Sequence, residues 1–455
     1  MTRTSWWVWE GIERIAGWPV GARAPGTLRH SGGVSEHDGG SSRAGGAGEP
    51  GETGEPAGGK HGPRPGRVWE DATGTGPDPR PGPAYPGPVT DSSDVPTGPV
   101  PRAALAAVPA YVAGKPAVPL DGRPTYKLSS NENPYPPLPE VLAAVENAAA
   151  QMNRYPDMGS TALYDALSVN LGVPVDRLAA ATGSVALLYH LVQAFCGDGD
   201  EVVFAWRSFE AYPIATAVCG AVPVQVPVTP DGRHDMAAMA AAVTERTKVL
   251  IVCTPNNPTG PAVTRADVEQ LLDQVPPHVV VVVDEAYREF VRGEGRFDAL
   301  ELAQGRPNVV VMRTFAKAYG LAGLRVGYLV APETIAKAVR ACALPFGVSA
   351  VAQAAAVASL RVEEQLLEQV DAIVAERERV VAALADQGWR IPEAQGNFVW
   401  LPLGEDTPRF AAEAEAAGIM VRPYATDGVR VSIGEPEAND VFLAVAEAFT
   451  PKVTS

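Results

Sequence analysis

A lysine and an arginine lie eight residues apart in the segment TFAKAYGLAGLRVG, residues 314–327. The primary amine of Lys317 can form an imine with a carbonyl compound. The guanidinium of Arg325, with the hydroxyl of Thr314, can bind a phosphate group. Most lysines near an arginine belong to a solvated basic surface, so this segment indicates a phosphorylated carbonyl ligand only when other segments support it.

Two apolar segments upstream end in polar residues. VLIVCTPNNPTG (249–260) passes from an apolar run into Asn and Pro, and VVVVVDEAYREF (279–290) ends five valines with Asp284. Such runs are typical of buried parallel strands, and open α/β sheets bind their ligands at the carboxyl ends of the strands. Burying a carboxylate without a cationic partner is costly, so we expect Asp284 to serve a ligand site.

Several short motifs carry a family resemblance. NENPY, NRYPD, PNNPTG, DEAY and KAYGLAGLR resemble class I/II aminotransferases that depend on pyridoxal 5'-phosphate (PLP), in the histidinol-phosphate aminotransferase branch. WRSFEAYP, GNFVWLPLG and VRPYATDGVRVSIG are most similar to the actinobacterial aromatic amino acid (phenylalanine) aminotransferases of that branch. The resemblance covers about Leu105 to Phe449.

The resemblance implies an α/β fold of the aspartate aminotransferase type, PLP-dependent fold type I. We expect a large domain with a mostly parallel seven-stranded sheet and a smaller C-terminal α/β domain. The expected boundaries are 102–150 for an N-terminal arm and first helix, 151–345 for the large PLP-binding domain, and 346–455 for a connector helix and the small domain.

The resemblance also assigns roles around the cofactor. Lys317 would hold PLP and move the substrate's α-proton, Asp284 would face the pyridine nitrogen, and Phe209 would stack on the ring. Two side chains would hydrogen-bond the 3'-oxygen of the cofactor: Asn257 and Tyr287. Five residues would bind the phosphate, the last of them from the neighbouring subunit: Gly183, Ser184, Thr314, Arg325 and Tyr155. Gly183 and Ser184 are small residues that precede an amphipathic helix. They indicate an anion site even without the resemblance, since a helix N-terminus attracts negative charge.

The substrate would be held mainly by arginines. Arg430 matches the family's carboxylate-binding position, where a guanidinium can form two parallel hydrogen bonds. Arg422 has three possible roles: contact with the substrate side chain, bracing of its loop, or an ordinary surface ion pair. Three more residues are expected near the substrate from the resemblance: Asn397, Tyr135 and Asn133. One residue departs from the family, because Ala316 stands where a serine commonly precedes the lysine, and one phosphate hydrogen bond is expected to be lost.

Composition limits the classes of partner. The chain has 455 residues and a net charge of −16, which argues against nucleic acid or an anionic membrane as the general partner. The four cysteines have neither CxxC nor Cys/His spacing, so we expect buried free thiols, no metal site and a reducing cytoplasm. No apolar run is long enough to span a bilayer, and no export signal is expected.

The first hundred residues differ from the rest. They contain 22 of the 45 glycines, 14 of the 43 prolines and five of the eight tryptophans. Such a composition buries too little apolar surface to order the chain, so we expect residues 1–101 to be disordered. A docking peptide or regulatory tail is one explanation. We favour another, that the start codon lies too far upstream and the natural protein begins near Val95 or Val100.

Local patterns predict helix boundaries downstream. The segment PEVLAAVENAAAQM is expected to be helical, and Ser160 or Thr161 is expected to cap the helix that follows. A long connector helix is predicted near VEEQLLEQVDAIVAERERVVAALADQGW, with the charged run 376–378 in solvent. Short strands are expected near FVWLPL, IMVRP and GVRVSIG, with a final helix from about Pro436.

The function expected from these features is PLP-dependent transamination of phenylalanine, tyrosine and tryptophan with 2-oxoglutarate. Histidinol phosphate is the alternative substrate, because an arginine binds phosphate as readily as carboxylate. A related decarboxylase is a weaker alternative. A transcription regulator would need an N-terminal DNA-binding domain, and residues 1–100 lack a helix-turn-helix pattern. We expect a homodimer that acts on small molecules in the cytoplasm.

Overall fold

The computed structural model of the chain describes residues 98–449, except 109, 112 and 118–121. The predictions made for residues 1–97 therefore lie outside the described residues.

A seven-stranded sheet forms the larger layer. The first eight strands among the described residues are β1 (Tyr126–Lys127), β2 (Leu178–Ala181), β3 (Glu201–Trp206), β4 (Val222–Pro227), β5 (Thr247–Cys253), β6 (Val280–Asp284), β7 (Val309–Thr314) and β8 (Gly327–Val330). The large sheet has the order β2-β8-β7-β6-β5-β3-β4. Within this sheet β8 runs in the direction opposite to that of the other six strands. The prediction of a mostly parallel seven-stranded sheet is confirmed.

Helices cover both faces of this sheet. The first eight are α1 (Pro139–Ala149), α2 (Thr161–Leu171), α3 (Ser184–Phe195), α4 (Ala211–Val218), α5 (Met236–Ala241), α6 (Arg265–Gln274), α7 (Ala299–Leu302) and α8 (Glu333–Cys342). Apolar residues of α3, α4 and α8 pack on one face, and those of α5, α6 and α7 pack on the other. Because both faces are covered, the valines of β6 are all buried, which explains why its sequence is continuously apolar rather than alternating.

A smaller layer follows the long helix predicted as a connector. The remaining helices are α9 (Ala350–Arg361), α10 (Glu363–Asp386), α11 (Thr407–Ala416) and α12 (Pro436–Ala448). The remaining strands are β9 (Phe398–Leu401), β10 (Ile419–Met420), β11 (Arg422–Tyr424) and β12 (Gly428–Ser432). Strands β11, β12 and β9 overlap the segments where short strands were expected, and they form an antiparallel sheet in that order. The N-terminal arm joins this region, because β1 pairs in parallel with β10.

Two local predictions are wrong. The side chain of Ser160 makes no cap hydrogen bond to α2; instead Asp157 accepts from the backbone N–H groups of Gly159 and Thr161, at 2.9 and 2.7 Å. Arg377, placed in a solvated charged run, is buried and donates through Nη1 to the carbonyls of Phe290 and Gly396. A long arginine stem can lie along apolar surface, so the charge alone did not show on which side of α10 the residue faces.

The four cysteines are free, as expected, but only Cys253 is fully buried; the other three are partly exposed. Within the part of the chain that the structure describes, no helix is both long and apolar enough to cross a membrane.

Candidate active site

A cavity of about 220 Å³ opens at the carboxyl ends of β5, β6 and β7. These strands end at Cys253, Asp284 and Thr314, and Cys253 and Asp284 are direct neighbours in the sheet. Ten of the residues predicted for the site line this cavity: Ser184, Phe209, Asn257, Asp284, Tyr287, Thr314, Lys317, Arg325, Arg422 and Arg430. The two sheets together therefore bring into one cavity residues that are up to 246 positions apart in the sequence, from Ser184 to Arg430.

Asp284 lies at the base of the cavity and is buried. The hydroxyl of Tyr212 donates to Oδ2 at 2.7 Å, whereas Oδ1 has no hydrogen-bond partner among the described residues. Burial raises the pKa of Asp284 to about 6, and the hydrogen bond from Tyr212 opposes this shift. Burying Oδ1 without a hydrogen-bond partner costs free energy unless a ligand supplies a donor. A cationic donor would also offset the charge of the carboxylate.

The side chain of Lys317 lines the cavity and reaches the arm that precedes α1. Its Nζ donates to the carbonyls of Ser130 and Asn131, at 3.1 and 3.2 Å. Burial, followed by the positive charge of Arg430, lowers the pKa of Lys317 to about 7. An amine with this pKa is substantially neutral near neutral pH, and it can therefore act as a nucleophile and accept a proton.

Backbone donors and a guanidinium surround the start of α3. Gly183 precedes this helix with φ +88°, and a Cβ there would lie 2.5 Å from Nη2 of Arg325. Gly327 lies as tightly against the start of α3, because a Cβ there would lie 2.7 Å from the backbone nitrogen of Ser184. Nearby, the hydroxyl of Thr314 accepts from the backbone N–H of Ala316 at 3.1 Å. Two glycines thus let the arginine and strand β8 approach a helix N-terminus, which is a ready anion site.

Arg430 lines the cavity and offers a guanidinium to the carboxylate of a ligand. It is buried on β12, where Nη1 donates to Oδ1 of Asn257 at 2.5 Å and Nη2 donates to the carbonyl of Ser129 at 2.8 Å. Its Nε has no hydrogen-bond partner among the described residues. No acidic side chain in the described ranges forms an ion pair with Arg430, so its charge is balanced only by neutral oxygens.

Arg422 lies in the wall of the cavity, which rules out one of the three roles considered for it. It is buried rather than on the surface, and its Nη2 forms an ion pair with Glu210. Its Nη1 also donates to the carbonyl of Ala113 at 3.3 Å. The prediction of an ordinary surface ion pair is wrong about the location, because both partners line the cavity.

Two further predicted side chains are tied into the walls. The hydroxyl of Tyr287 accepts from Nδ2 of Asn131 at 3.1 Å, and burial raises its pKa. The ring of Phe209 meets that of Tyr212 edge-on, with 5.6 Å between the centroids. Phe209 and the Asp284 partner Tyr212 thus belong to one packed unit at the start of α4.

Five predicted residues do not line the cavity: Gly183, which directly precedes α3, and four others. Tyr155 is 84% exposed, and its ring lies 4.8 Å from that of Phe346. Tyr135 is exposed, whereas Asn133 donates through Nδ2 to the carbonyl of Ala318, one residue after the lysine, at 3.0 Å. Asn397 is buried and donates through Nδ2 to the carbonyl of Asn131 at 3.2 Å. Within one chain, these residues brace the site or lie outside it.

Sequence analysis missed several cavity residues. Glu210 lines the cavity, and Tyr212 does not line it but donates to Asp284. Both follow Phe209 in WRSFEAYP, so their proximity to the site could have been inferred from that motif, but their partners could not. Tyr424 lines the cavity from β11, and Ser129 and Tyr111 line it from the arm. The arm residues carry no sequence signal, because their place depends on how an extended segment crosses the surface.

Comparison with known proteins places the chain among aminotransferases. The family profile "Aminotransferase class I and II" matches residues 123–445. Proteins named aromatic amino acid aminotransferase from Streptomyces avermitilis and Streptomyces coelicolor are each 58% identical to the chain over 353 residues, covering 78% of this chain and 98% of theirs. Among solved structures, histidinol-phosphate aminotransferase from Sinorhizobium meliloti in complex with pyridoxal-5'-phosphate is similar, with a TM-score of 0.67 and 29% identity, covering 72% of this chain and 92% of that one.

Proposed function

Because the chain belongs to the class I and II aminotransferase family and is therefore a transaminase, we propose that it transfers amino groups from phenylalanine, tyrosine and tryptophan to 2-oxoglutarate with PLP as cofactor. The observation that carries the cofactor proposal is the pairing, in one cavity, of a lysine of pKa about 7 with a buried carboxylate whose Oδ1 lacks a partner among the described residues. The aromatic substrate class is supported by the names of relatives that are 58% identical.

The described residues fit PLP at both of its ends. Asp284 offers its orphan oxygen to a protonated ring nitrogen, which would remove the cost of the buried carboxylate. The start of α3 at Ser184, with Arg325 and Thr314, offers backbone, guanidinium and hydroxyl donors to a phosphate. When bound, the cofactor supplies a carbonyl that is exchanged for the amino group and a ring that accepts the electrons of the broken Cα–H bond.

Lys317 is the residue that moves the proton. Among the described residues its Nζ is hydrogen-bonded to two backbone carbonyls and forms no ion pair, so it can leave them without breaking one. With a pKa of about 7, the amine can take the α-proton from the substrate's Cα and return it elsewhere on the reacting system. Arg430 contributes both by lowering that pKa and by binding the substrate carboxylate, which fixes Cα within reach of the amine.

The experiment compares two amino donors. The purified PLP form is mixed with phenylalanine or with histidinol phosphate at equal concentration, and the absorbance band of the lysine-bound cofactor is followed through a single turnover. We expect fast loss of the band with phenylalanine and little with histidinol phosphate, and the reverse result would assign the chain to the alternative substrate. The Lys317→Ala variant serves as the control: it should lack the band, and a normal band in that variant would contradict the role of Lys317.

We also propose that the protein is a homodimer in which Tyr155 reaches the phosphate site of the partner subunit. The support is a group of exposed apolar side chains around Tyr155, with exposed fractions of 65% for Met158, 71% for Leu344 and 41% for Phe346. Such a cluster on a monomer marks an interaction surface. Sedimentation analysis should give twice the chain mass, and Tyr155→Phe should weaken PLP binding without changing that mass. Unaltered PLP affinity in Tyr155→Phe would count against its role.

A further inference from the structure

Two arginines of the cavity face each other across one pair of strands. Arg422 on β11 and Arg430 on β12 are direct cross-strand partners, and their exposed fractions are only 4% and 7%. Their guanidinium carbons lie 5.1 and 5.9 Å from the centroid of the Tyr424 ring, so both charges flank the same side chain. Like charges that are directly opposite in a sheet repel each other, and burial strengthens the repulsion. At least one of them therefore needs a counter-charge.

Glu210 supplies that counter-charge to one arginine only. It directly precedes α4, its side chain is 23% exposed, and it pairs with Nη2 of Arg422. Arg430 is held by an amide oxygen and a backbone carbonyl, and no acidic residue within 98–449 that the structure describes forms an ion pair with it. Of the two arginines on β11 and β12, one thus has a compensated charge and the other does not. The uncompensated one can bind a single anionic group of a substrate.

We propose that Glu210 sets the charge selectivity of this cavity, an inference that rests on the proposed function and deepens it. By occupying Arg422, Glu210 makes the site favour substrates with one anionic group and an uncharged side chain over substrates with two anionic groups. A second carboxylate or a phosphate would enter beside the carboxylate of Glu210, and like charges are disfavoured there. Aromatic amino acids carry no second anion and meet no such repulsion.

The proposed amino acceptor, 2-oxoglutarate, carries two carboxylates and therefore meets the charge of Glu210. The second carboxylate of 2-oxoglutarate can reach Arg422 only by replacing Glu210. The acceptor therefore binds more weakly than Arg422 alone would allow. Removing the charge of Glu210 should lower the KM for 2-oxoglutarate and should raise kcat/KM for glutamate relative to that for phenylalanine.

The test measures binding without turnover. The dissociation constants of glutarate, which has two carboxylates, and 3-phenylpropionate, which has one carboxylate and a phenyl ring, are determined from the absorbance change of the bound cofactor in the holoenzyme. In Glu210→Gln we expect the ratio of the glutarate constant to the 3-phenylpropionate constant to fall at least about tenfold, the factor that corresponds to 1.4 kcal/mol. An unchanged ratio would overturn the proposal.

Three further variants isolate the ion pair. Asp427→Asn makes the same charge change in the exposed pair that Asp427 forms with Arg207, and the ratio should stay within about twofold of that of the parent protein. Glu210→Asp keeps the charge and should also keep the ratio. The double variant Glu210→Gln/Arg422→Gln should lose the gain, because the second carboxylate then has no guanidinium to bind. An equal effect of Asp427→Asn, or a gain retained in the double variant, would contradict the assignment.

Cofactor absorbance and circular dichroism show whether Glu210→Gln folds. Where it does not, Arg422→Gln provides the decisive measurement: Glu210 is then unpaired, and the ratio of the constants should rise, whereas an unchanged ratio refutes the proposal. The proposed function and the role of Glu210 can be refuted independently of each other. A parent enzyme that does not transaminate phenylalanine would contradict the proposed function, while the glutarate ratio tests Glu210 without any turnover.

Discussion

The buried carboxylate at the base of the cavity gives a quantitative prediction for the protein without its cofactor. Burial raises the pKa of Asp284 from the ordinary value of 3.8 to about 6. Because the folded state holds this proton more tightly than the unfolded state does, the contribution of Asp284 to stability falls as the pH rises through this interval. Above both pKa values the charged group costs about 3 kcal/mol, from a shift of about two units at 1.36 kcal/mol each.

The perturbation is Asp284→Asn, which removes the charge and keeps an oxygen that can accept from Tyr212. In the PLP-free protein we expect the free energy of unfolding of the variant to exceed that of the parent by about 3 kcal/mol near pH 8 and by only about 1.5 kcal/mol near pH 5, as the parent's carboxyl becomes protonated in the folded state. The stabilised variant should nevertheless bind PLP more weakly, because the partner of the ring nitrogen has lost its charge.

The assay is urea unfolding of the PLP-free proteins at both pH values, followed by circular dichroism. Asp427→Asn is the matched control, since Asp427 is about 44% exposed in its pair with Arg207 and should change stability by less than about 1 kcal/mol. A difference between Asp284→Asn and the parent that is the same at both pH values would refute the argument from burial, and so would a variant less stable than the parent near pH 8.

Three other predictions concern the remaining polar groups of the site. In the PLP-free protein, Lys317 should react with trinitrobenzenesulfonate at a rate that is half-maximal near its pKa of about 7, and Arg430→Gln should move that midpoint upward because a neighbouring cation is lost; a midpoint near 10.5 in both proteins would contradict this. Gly183→Ala should raise the dissociation constant of PLP at least about tenfold, since the new Cβ would displace Arg325 and the φ of +88° is strained for alanine; unchanged affinity in a dialysis assay would show that the arginine position does not matter. Ala316→Ser should slow PLP release by about fivefold through one added hydrogen bond of about 1 kcal/mol, and an unaltered release rate would mean that the phosphate lies out of reach of this position.

The large sheet was predictable because its strands are covered on both faces. Continuous apolar runs such as the valines before Asp284, ending in polar residues, leave few alternatives to buried parallel strands. The same reasoning predicted that Asp284 lies at the carboxyl end of a buried strand, where open α/β sheets bind ligands. Family motifs then supplied Arg430 and Asn257, whose contact at 2.5 Å joins positions 173 residues apart.

Partnerships between charges were not predictable in the same way. The charged run around Arg377 predicts a surface residue, yet Arg377 is buried and donates hydrogen bonds to two backbone carbonyls. The sequence could not separate three possible roles for Arg422, because no sequence pattern indicates that Glu210, 212 residues away, lies beside it. The periodicity of a segment records which positions are apolar, but it does not record which distant side chain meets a polar one.

The sequence by itself therefore determined the class of fold, the family and the residue types available to the chemistry, because strand burial and short motifs are local properties of the chain. Only the tertiary structure decided which arginine is compensated, that Tyr212 holds one oxygen of Asp284 while the other lacks a partner among the described residues, and that Lys317 is desolvated enough for its pKa to fall to about 7. These properties depend on burial and on distances between segments far apart in the chain, and both arise only when the two sheets and the N-terminal arm close around one cavity.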